Sequence, residues 1–331
     1  MGAYIIAEAG VNHNGNLALA KRLVDAAKES GADCVKFQTY KTESLISKFA
    51  EKAEYQKAAT GSDESQLDML RSLELPYGAF RELKHYCESV DIDFLSTPFD
   101  LGSVNFLAEL GMKLWKIPSG ELTNLPYLTK VARQRLPVIM STGMSTLEEV
   151  TAAMKVLRDN ESGSIALLHC TTEYPAPFGS VNLKAMLTLK DEFRVPVGYS
   201  DHTTGIAIPI AAVALGATFI EKHFTLDKKM SGPDHMASIE PRELKEMVES
   251  IRNVEAALGD GIKSPSLAEL KNIPAARKSV VAARDIKKGE TLTEGNLAVK
   301  RPGNGISPMR FHDVLGRKAK RDFSEDELIE L

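Results

Sequence analysis

Short apolar runs recur about every 30 residues through the first 225 positions of this chain, and a stretch with helical spacing follows each run. Alternating strands and helices of this kind are typical of a parallel sheet covered by helices. Eight such units predict a (β/α)8 TIM barrel, whose active site lies at the carboxyl ends of the strands. The runs are Tyr4–Ala9, Asp33–Phe37, Ile92–Leu95, Lys113–Ile117, Leu136–Met140, Ser164–Leu168, Val195–Tyr199 and Ala217–Ile220.

Polar or ionisable residues follow every run, at the end of the strand where a barrel carries its chemistry. Side chains alternate along a strand, so Lys36 and Gln38 share one side of the second strand, and Ser119 and Glu121 share one side of the fourth. The convergence of these groups predicts a polar site at the top of the barrel. They are Glu8, Lys36, Gln38, Ser96, Thr97, Ser119, Glu121, Ser141, Thr142, His169, Thr171, Ser200, Asp201, His202, Glu221 and His223.

The chain has 331 residues, which exceeds the roughly 250 of a typical barrel and leaves room for a small second domain. We predict a catalytic barrel at residues 1–260, a linker at 261–276 with one short helix at Leu267–Asn272, and a β-rich domain at 277–331. Short strands are expected at Ser279–Ala283 and Leu297–Lys300. A domain this small has a limited core, so we expect it to pack on another surface.

Composition and motifs exclude several classes of function. A net charge of −4 argues against a nucleic-acid surface. We find no apolar run of about 18 residues and no signal peptide, so neither a membrane span nor secretion is expected. Three cysteines without a CxxC pair favour a reduced, cytoplasmic setting. The absence of a GxGxxG motif after the first strand, of a Walker loop and of HExxH weakens nucleotide-binding and zinc-protease interpretations.

The longest gap between predicted strands, residues 41–76, is polar and contains a Gly-Ser-Asp turn at Gly61–Asp63. Long loops in compact domains are usually functional or mobile. We therefore predict that this segment forms a lid over the barrel mouth.

Two histidines, His202 and His223, end the seventh and eighth strands. Neighbouring strand ends can bring two imidazoles onto one cation, and two strong ligands leave positions open for substrate oxygens, which suits Lewis-acid catalysis. Such a site suits Mn2+, Co2+ or Zn2+, with Mg2+ also possible. The alternative is a hydrogen-bonded pair of histidines without metal.

Lys36 points into the barrel, where a charge is costly without a partner. The partner is either a bound phosphate or carboxylate, or a barrel carboxylate such as Glu8. Ser141-Thr-Gly143 offers hydroxyls and backbone beside a helix N-terminus, a second candidate anion site. Simple helix capping is the alternative for those hydroxyls. Glu8 is a candidate acid, base or hydroxyl-binding group, unless it forms a barrel salt bridge.

Together, these motifs resemble those of the sialic acid (nonulosonic acid) synthases over the whole chain, and the segment from Ser279 to Leu331 is similar to their antifreeze-like SAF domain. The motifs are Ala7-Glu-Ala-Gly-Val-Asn-His-Asn-Gly15, Lys36-Phe-Gln38, Ser96-Thr-Pro-Phe-Asp100, Pro118-Ser-Gly-Glu121, Ser141-Thr-Gly-Met144, His169-Cys-Thr171, Tyr174-Pro175, Tyr199-Ser-Asp-His202 and Glu221-Lys-His-Phe224.

The resemblance implies a set of roles. It implies that His202 and His223 bind a divalent metal, Mn2+ first and Mg2+ or Co2+ as alternatives. Glu121 matches the carboxylate that handles the proton of the attacking water, and Arg301 matches an arginine that the SAF domain lends to the partner subunit in a domain-swapped homodimer. Phosphoenolpyruvate is held by residues matching Lys36, Thr97, Ser119 and Ser141. The sugar site and its supports match Glu8, Gln38, Tyr174 and Asp234.

The reaction so implied joins carbon 3 of phosphoenolpyruvate to the aldehyde carbon of an open-chain, N-acetylmannosamine-type sugar. Water adds at carbon 2, and phosphate leaves by C–O cleavage to give a nine-carbon 2-keto sugar acid. Thr172 and Glu173 stand where N-acetylneuraminate synthases often carry Asn-Ile, which favours a resemblance to N,N'-diacetyllegionaminate synthases.

Other interpretations stay open. N-acetylneuraminate and pseudaminate synthases are alternatives within the family. A metal-dependent pyruvate aldolase is an alternative enzyme, and it releases no phosphate. An ice- or sugar-binding protein is disfavoured, because an ice-binding face is flat and poor in charge, whereas the C-terminal domain is rich in Lys and Arg.

Overall fold

A computed structural model describes residues 2–60 and 65–331 and divides the chain into two compact units, Met1–Gly259 and Asp260–Leu331. The turn predicted at Gly61–Asp63 lies outside the described residues. Among the described helices, none is long and apolar enough to cross a membrane.

The first unit is the predicted (β/α)8 barrel, with eight parallel strands in the order β3-β2-β1-β8-β7-β6-β5-β4 and with β4 beside β3 at the seam. All but β4 extend past the end of their predicted apolar run, because the residues that follow the run remain in the ladder. The strands are β1 (Tyr4–Gly10), β2 (Cys34–Thr39), β3 (Asp93–Pro98), β4 (Trp115–Ile117), β5 (Val138–Ser141), β6 (Ile165–Cys170), β7 (Val197–Asp201) and β8 (Phe219–His223).

Helices cover the outside of the barrel, and the longer ones bury apolar side chains against it. Helix α11 shows why: Pro241 sits in its first turn, and Leu244, Met247, Val248 and Ile251 are buried at helical spacing. The helices of this unit are α1 (Leu17–Glu29), α2 (Thr42–Leu45), α3 (Glu54–Thr60), α4 (Gln66–Leu73), α5 (Tyr77–Ser89), α6 (Leu101–Glu109), α7 (Leu125–Ala132), α8 (Leu147–Asp159), α9 (Lys184–Phe193), α10 (Ala207–Ala214) and α11 (Pro241–Leu258).

The segment predicted to be a long loop, residues 41–76, instead contains the three short helices α2, α3 and α4. Ser65 caps α4 by accepting a hydrogen bond from the backbone N–H of Asp68. Met69 and Leu73, four residues apart on α4, bury their side chains in a small cluster with Val11 and Tyr40. This local cluster stabilises helices that the polar composition did not reveal.

The second unit is small and has its own core, formed by Val280, Ala282, Ile286, Leu292 and Phe323 among others. Two strands, β9 (Ser279–Ala282) and β10 (Leu297–Lys300), pair antiparallel. The single helix predicted at Leu267–Asn272 is replaced by α12 (Leu267–Leu270) and α13 (Ile273–Ala276), because Pro274 favours the start of a new helix. Helix α14 (Phe311–Val314) completes the unit.

Candidate active site

Four charged side chains meet inside the upper barrel. The ladder pairs Glu8 of β1 with Lys36 of β2 and with His223 of β8, so these residues lie at one level. Lys36 Nζ lies 2.6 Å from Glu8 Oε2 and 3.6 Å from Glu221 Oε2. Lys116 Nζ, from β4, lies 3.3 Å from Glu221 Oε1. The result is a buried network of two ammonium and two carboxylate groups.

The ionisation of this network favours an anion. Although burial raises the pKa of Glu221, the charges of Lys116 and Lys36 outweigh it and bring that pKa to about 2. Burial also raises the pKa of Glu8, and the charge of Lys36 only partly offsets it. Burial lowers the pKa of Lys36, but Glu221 and Glu8 outweigh that and raise it overall. Burial lowers the pKa of Lys116, and the charge of Glu221 only partly offsets this. Glu221 is thus firmly ionised and Glu8 is more easily protonated, so with Glu8 protonated the network carries a net positive charge that an anion can neutralise.

Three of the four residues predicted to hold phosphoenolpyruvate adjoin the network. Lys36 itself donates to Thr97 Oγ1 at 3.2 Å. Lys116 donates to Ser141 Oγ at 2.8 Å. The fourth, Ser119, lies one step away, where its Oγ accepts from the backbone N–H of Gly143 at 2.9 Å.

Gly143 is a point of close approach between β5, β6 and the turn after β4. A Cβ atom there would overlap Thr172 Oγ1 and come within 2.8 Å of both Cys170 Sγ and Ser119 Oγ. Among the described residues, Thr172 Oγ1 is buried without a hydrogen-bond partner. Only glycine therefore leaves Ser119 and Thr172 side by side at this strand end.

His202 and His223 come together as predicted, with ring centroids 5.6 Å apart. His202 Nδ1–H donates to the carbonyl of Thr171 at 2.6 Å, which leaves Nε2 as its free acceptor. Burial is the main cause of the lowered pKa of both histidines. Neutral imidazoles are the form that binds a metal ion.

The donor set fits an open catalytic metal site rather than a closed structural one. The described residues contain no group of three or more His, Cys, Asp or Glu side chains arranged to hold a metal ion. His223 Nδ1 is buried without a hydrogen-bond partner there and lies 3.8 Å from Asp234 Oδ2. Two imidazoles with no third strong ligand leave coordination positions for substrate oxygens and water.

Three of the residues predicted to bind the sugar, Gln38, Tyr174 and Asp234, line one cavity of about 360 Å³ together with His223. Glu8, also predicted to bind the sugar, does not line this cavity. Gln38 Nε2 also donates to Glu8 Oε1 at 3.0 Å. The segment predicted to be a lid supplies Leu45, Ile46, Gln56, Gln66, Met69 and Leu70 to the same cavity.

Aromatic and carboxylate groups complete this cavity. The Tyr174 ring packs on His202 with centroids 4.1 Å apart and meets His223 edge-on at 5.7 Å. Burial, followed by the charge of Glu8, raises the pKa of Asp234 to about 7. The cavity thus offers both hydrogen-bonding groups and an aromatic wall to a polar ligand.

Two side chains of the β1 loop hold the loop that carries Asp234. Asn12 Nδ2 donates to Ser238 Oγ, which in turn donates to the carbonyl of Asp234 at 2.7 Å. Asn14 Oδ1 accepts from His235 Nε2 at 3.1 Å. The motif Val11-Asn-His-Asn-Gly15 therefore holds in place the loop that brings Asp234 to the cavity.

Sequence comparison decides the family. The profile of the NeuB family matches residues 23–263, and the profile of the SAF domain matches residues 277–330. The chain belongs to the NeuB family. The resemblance to the sialic acid synthases and the predicted fold are thereby confirmed.

Individual NeuB-family proteins match over nearly the full chain. The chain is 59% identical to the N,N'-diacetyllegionaminic acid synthase of Campylobacter jejuni, covering 98% of both sequences. It is 50% identical to the enzyme of the same name from Legionella pneumophila, covering 98% of this chain and 92% of that one. The crystal structure of N-acetylneuraminic acid (sialic acid) synthetase from Leptospira borgpetersenii superposes with a TM-score of 0.73 at 35% identity, covering 82% of this chain and 90% of that one.

One residue of this NeuB-family site, Lys116, was not predicted to belong to it, because it lies inside a predicted apolar run. Glu221 was predicted to be one of the polar groups at the strand ends, but no role was assigned to it. A lysine between Trp115 and Ile117, on a strand buried on both faces, is the signal that could have revealed Lys116.

Two predicted residues lie apart from the buried network. The prediction that Ser119 and Glu121 share one side of the fourth strand was wrong, because β4 ends at Ile117 and both residues lie in a short 3-10 turn at Ser119–Glu121. Glu121 is half-buried and accepts from Asn124 Nδ2 at 2.6 Å. Burial is the main cause of its raised pKa, with Asn124 partly opposing and the charge of Asp100 adding to it. Arg301 belongs to the second unit, where it is exposed and its Nε donates to the carbonyl of Ala276 at 3.1 Å.

The two residues that favoured a diacetylated sugar line a different cavity. Thr172 and the exposed Glu173 border a space of about 790 Å³ between the loops after β5 and β6, together with His169 and Asn182. Because Thr172 also adjoins Ser119 through Gly143, it lies at the edge of the predicted phosphoenolpyruvate site.

Proposed function

We propose that this protein condenses phosphoenolpyruvate with 2,4-diacetamido-2,4,6-trideoxymannose to give N,N'-diacetyllegionaminate and phosphate. The observation that carries the proposal is the buried pair Lys36 and Lys116 beside the two histidines, which provides an anion site next to a metal-type site. The names of the Campylobacter and Legionella relatives support the choice of sugar.

The lysines account for the binding of phosphoenolpyruvate. In the ligand-free network, Lys36 is neutralised by Glu8 and Lys116 by Glu221. A phosphate or carboxylate that enters between the lysines forms charge-assisted hydrogen bonds with both. The hydroxyls of Thr97 and Ser141, each already bonded to one lysine, orient the anion. Ser119 and the Gly143 backbone extend the same surface.

The sugar occupies the cavity next to His223, where Gln38 and Asp234 bond to its polar groups and Tyr174 packs on its face. Glu8, which is bonded to Gln38, supports this site. Glu121, with its raised pKa, suits a group that handles the proton of the water attacking carbon 2. Carbon 3 of phosphoenolpyruvate forms a bond to the sugar aldehyde carbon, whose oxygen takes up a proton and becomes a hydroxyl. Water adds at carbon 2 and gives up a proton, and the C–O bond to phosphate then breaks to leave the 2-keto group and free phosphate. The residues around the cavity and the lid helices exclude bulk water from this step.

Enzymes of this family are metal-dependent. We propose that His202 and His223 hold the ion here, with Mn2+ preferred and Co2+ or Mg2+ able to replace it. When bound, a divalent ion supplies Lewis-acid polarisation of the aldehyde oxygen. The two imidazoles set its place at the end of β7 and β8, next to the sugar cavity.

We also propose a homodimer in which Arg301 enters the partner's active site. Support comes from the barrel mouth, where loops and helix starts that follow the strands carry exposed apolar side chains. Such a rim favours a covering partner. The exposed apolar residues of this rim are Phe49, Leu101, Leu125, Met144, Leu147, Phe178 and Met236.

The three cysteines are free thiols, in keeping with a cytoplasmic enzyme.

The test is direct. Purified protein is incubated with phosphoenolpyruvate, Mn2+ and a panel of mannosamine derivatives, and products are identified by mass while phosphate is measured. We expect phosphate release and a kcat/KM about a hundredfold higher for the 2,4-diacetamido-6-deoxy sugar than for N-acetylmannosamine. The reverse order would favour an N-acetylneuraminate synthase. Absence of product and of phosphate release with phosphoenolpyruvate, together with a product when pyruvate replaces it, would favour a pyruvate aldolase.

A further inference from the structure

A second ion pair lies directly behind the two histidines, on the outer side of the barrel wall. Lys222 Nζ lies 2.5 Å from Asp201 Oδ2 and donates to the carbonyl of Thr203 at 2.7 Å. Asp201 in turn accepts from the backbone N–H and the hydroxyl of Thr203, both at 3.1 Å. The side chains of Lys222 and Asp201 are 1% and 0% exposed, so this ring of bonds is sealed from water.

The position of this ring follows from strand alternation. Glu221 and His223 point into the barrel, so Lys222 between them points outward. The ladder pairs Asp201 of β7 with Lys222 of β8. Lys222 therefore bonds to the residues on both sides of His202, and it directly precedes His223 in the chain. One ammonium group joins the two backbone segments from which the imidazoles project.

We propose that Lys222 is a positioning residue, which fixes the separation of His202 and His223 so that both can bind one divalent cation. The inference rests on the metal role of these histidines given above. A mobile lysine on the surface has no such effect. Lys222, in contrast, makes short hydrogen bonds to Asp201 and to Thr203, the residues that precede and follow His202. Supports of this kind orient metal ligands, and their loss typically weakens metal binding about 10- to 100-fold.

Stability alone is a weak explanation for this pair. Taking two charges out of water is costly, and an apolar pair of similar volume often stabilises a fold as well or better. Removing the charges of Lys222 and Asp201 together therefore distinguishes the two roles, because only the positioning role predicts weaker metal binding. Replacing Lys222 alone leaves the Asp201 carboxylate buried and unpaired, so that change cannot separate a loss of positioning from a loss of stability.

The experiment measures Mn2+ binding to metal-free protein by calorimetry, without substrates. The test variant combines Lys222→Met with Asp201→Asn, because the asparagine still accepts from Thr203 N–H. We expect Mn2+ affinity to fall about 10- to 100-fold, while circular dichroism and phosphoenolpyruvate affinity without metal stay as in the unaltered protein. The matched control, Lys84→Met with Glu88→Gln, removes an exposed pair on α5 and should leave Mn2+ affinity unchanged.

Each outcome decides. If the double variant binds Mn2+ within twofold of the affinity of the unaltered protein, Lys222 is not a positioning residue. The proposed metal role of His202 and His223 is not affected by that outcome. If the double variant does not fold, Lys222→Arg is measured instead: its longer, planar group cannot reproduce both bonds, so we expect weakening of about tenfold, and unchanged affinity contradicts the inference. Absence of Mn2+ binding by the unaltered protein overturns the metal role itself, and with it this inference.

Discussion

Lys116 Nζ lies 3.3 Å from Glu221 Oε1, a contact that joins β4 to β8 across the inside of the barrel. Both side chains are buried, so each charge depends on the other. Together with the pair formed by Lys36 and Glu8, this contact holds two lysine ammonium groups where an anionic substrate is expected to bind. The behaviour of the site on mutation follows from this arrangement.

Replacing Lys116 or Lys36 by Ala should weaken phosphoenolpyruvate binding far more than sugar binding. A charge-assisted bond to a buried anion contributes about 1.5–3 kcal/mol, or roughly 10- to 150-fold in KM. Steady-state kinetics with each substrate varied in turn measures the two effects. Lys84→Ala, at an exposed pair on α5, is the control and should change neither. Equal effects on both substrates would mean that the lysines are structural.

Metal removal should abolish turnover, and Mn2+, Co2+ or Mg2+ should restore it. The reason is the adjacent pair of neutral imidazoles of His202 and His223, beside which the described part of the chain places no third strong ligand. His202→Ala and His223→Ala should each abolish turnover with little loss of fold, as judged by circular dichroism. Full activity in excess chelator would contradict the metal role.

Gly143→Ala should raise the KM for phosphoenolpyruvate, because the added methyl group would overlap Thr172 Oγ1 and come within 2.8 Å of Ser119 Oγ, so both side chains would have to move. Forced overpacking typically costs about 1–3 kcal/mol. Gly120→Ala is a matched control on the turn before, since no atom lies within 4 Å of its added Cβ. Kinetic parameters of the two variants, measured side by side, should differ in the KM for phosphoenolpyruvate. Similar values for both would show that the contact at Gly143 is not used.

Asp234 should make stability of the metal-free protein fall as pH rises. Its pKa is raised to about 7 in the folded state, so between pH 4 and 7 the native state holds a proton that the unfolded chain has released. The contribution of Asp234 to the free energy of unfolding is therefore largest below about pH 4. It declines as the pH rises to about 7, by at most roughly 4 kcal/mol. Urea unfolding of Asp234→Asn across this range should lack that decline. A parallel decline in both proteins would assign it to other groups.

Arg301 is expected to complete the active site of a partner subunit. Arg301→Ala and His223→Ala should each be inactive, but co-expressed they should recover about a quarter of the wild-type activity. Half of the dimers are then mixed, and one of the two sites in each mixed dimer has both residues intact. No recovery after mixed dimers have been demonstrated would place Arg301 in its own subunit's site or outside catalysis.

The lid segment and the buried network show where prediction from sequence ended. The lid helices depend on a cluster in which Met69 and Leu73 pack against Val11 and Tyr40, contacts between positions far apart in the chain. Likewise, Lys116 looks like an interruption of an apolar run until β8 brings Glu221 opposite it. Thr172 was weighed as a sugar-specificity residue, and its place beside Ser119 depends on the close approach at Gly143.

The sequence by itself determined the eight strands, their polar carboxyl ends and the pairing of His202 with His223, because a strand's period and position in a barrel are local properties of the chain. Only the tertiary structure decided which charge neutralises which. Coulomb interactions depend on distances between side chains from different strands, and Lys36, Lys116, Glu8 and Glu221 come from four of them. The outward pair of Lys222 and Asp201 follows from the same β7–β8 adjacency. Only the tertiary structure shows that the Lys222 ammonium also donates to the carbonyl of Thr203, because that bond depends on the path of the backbone after β7.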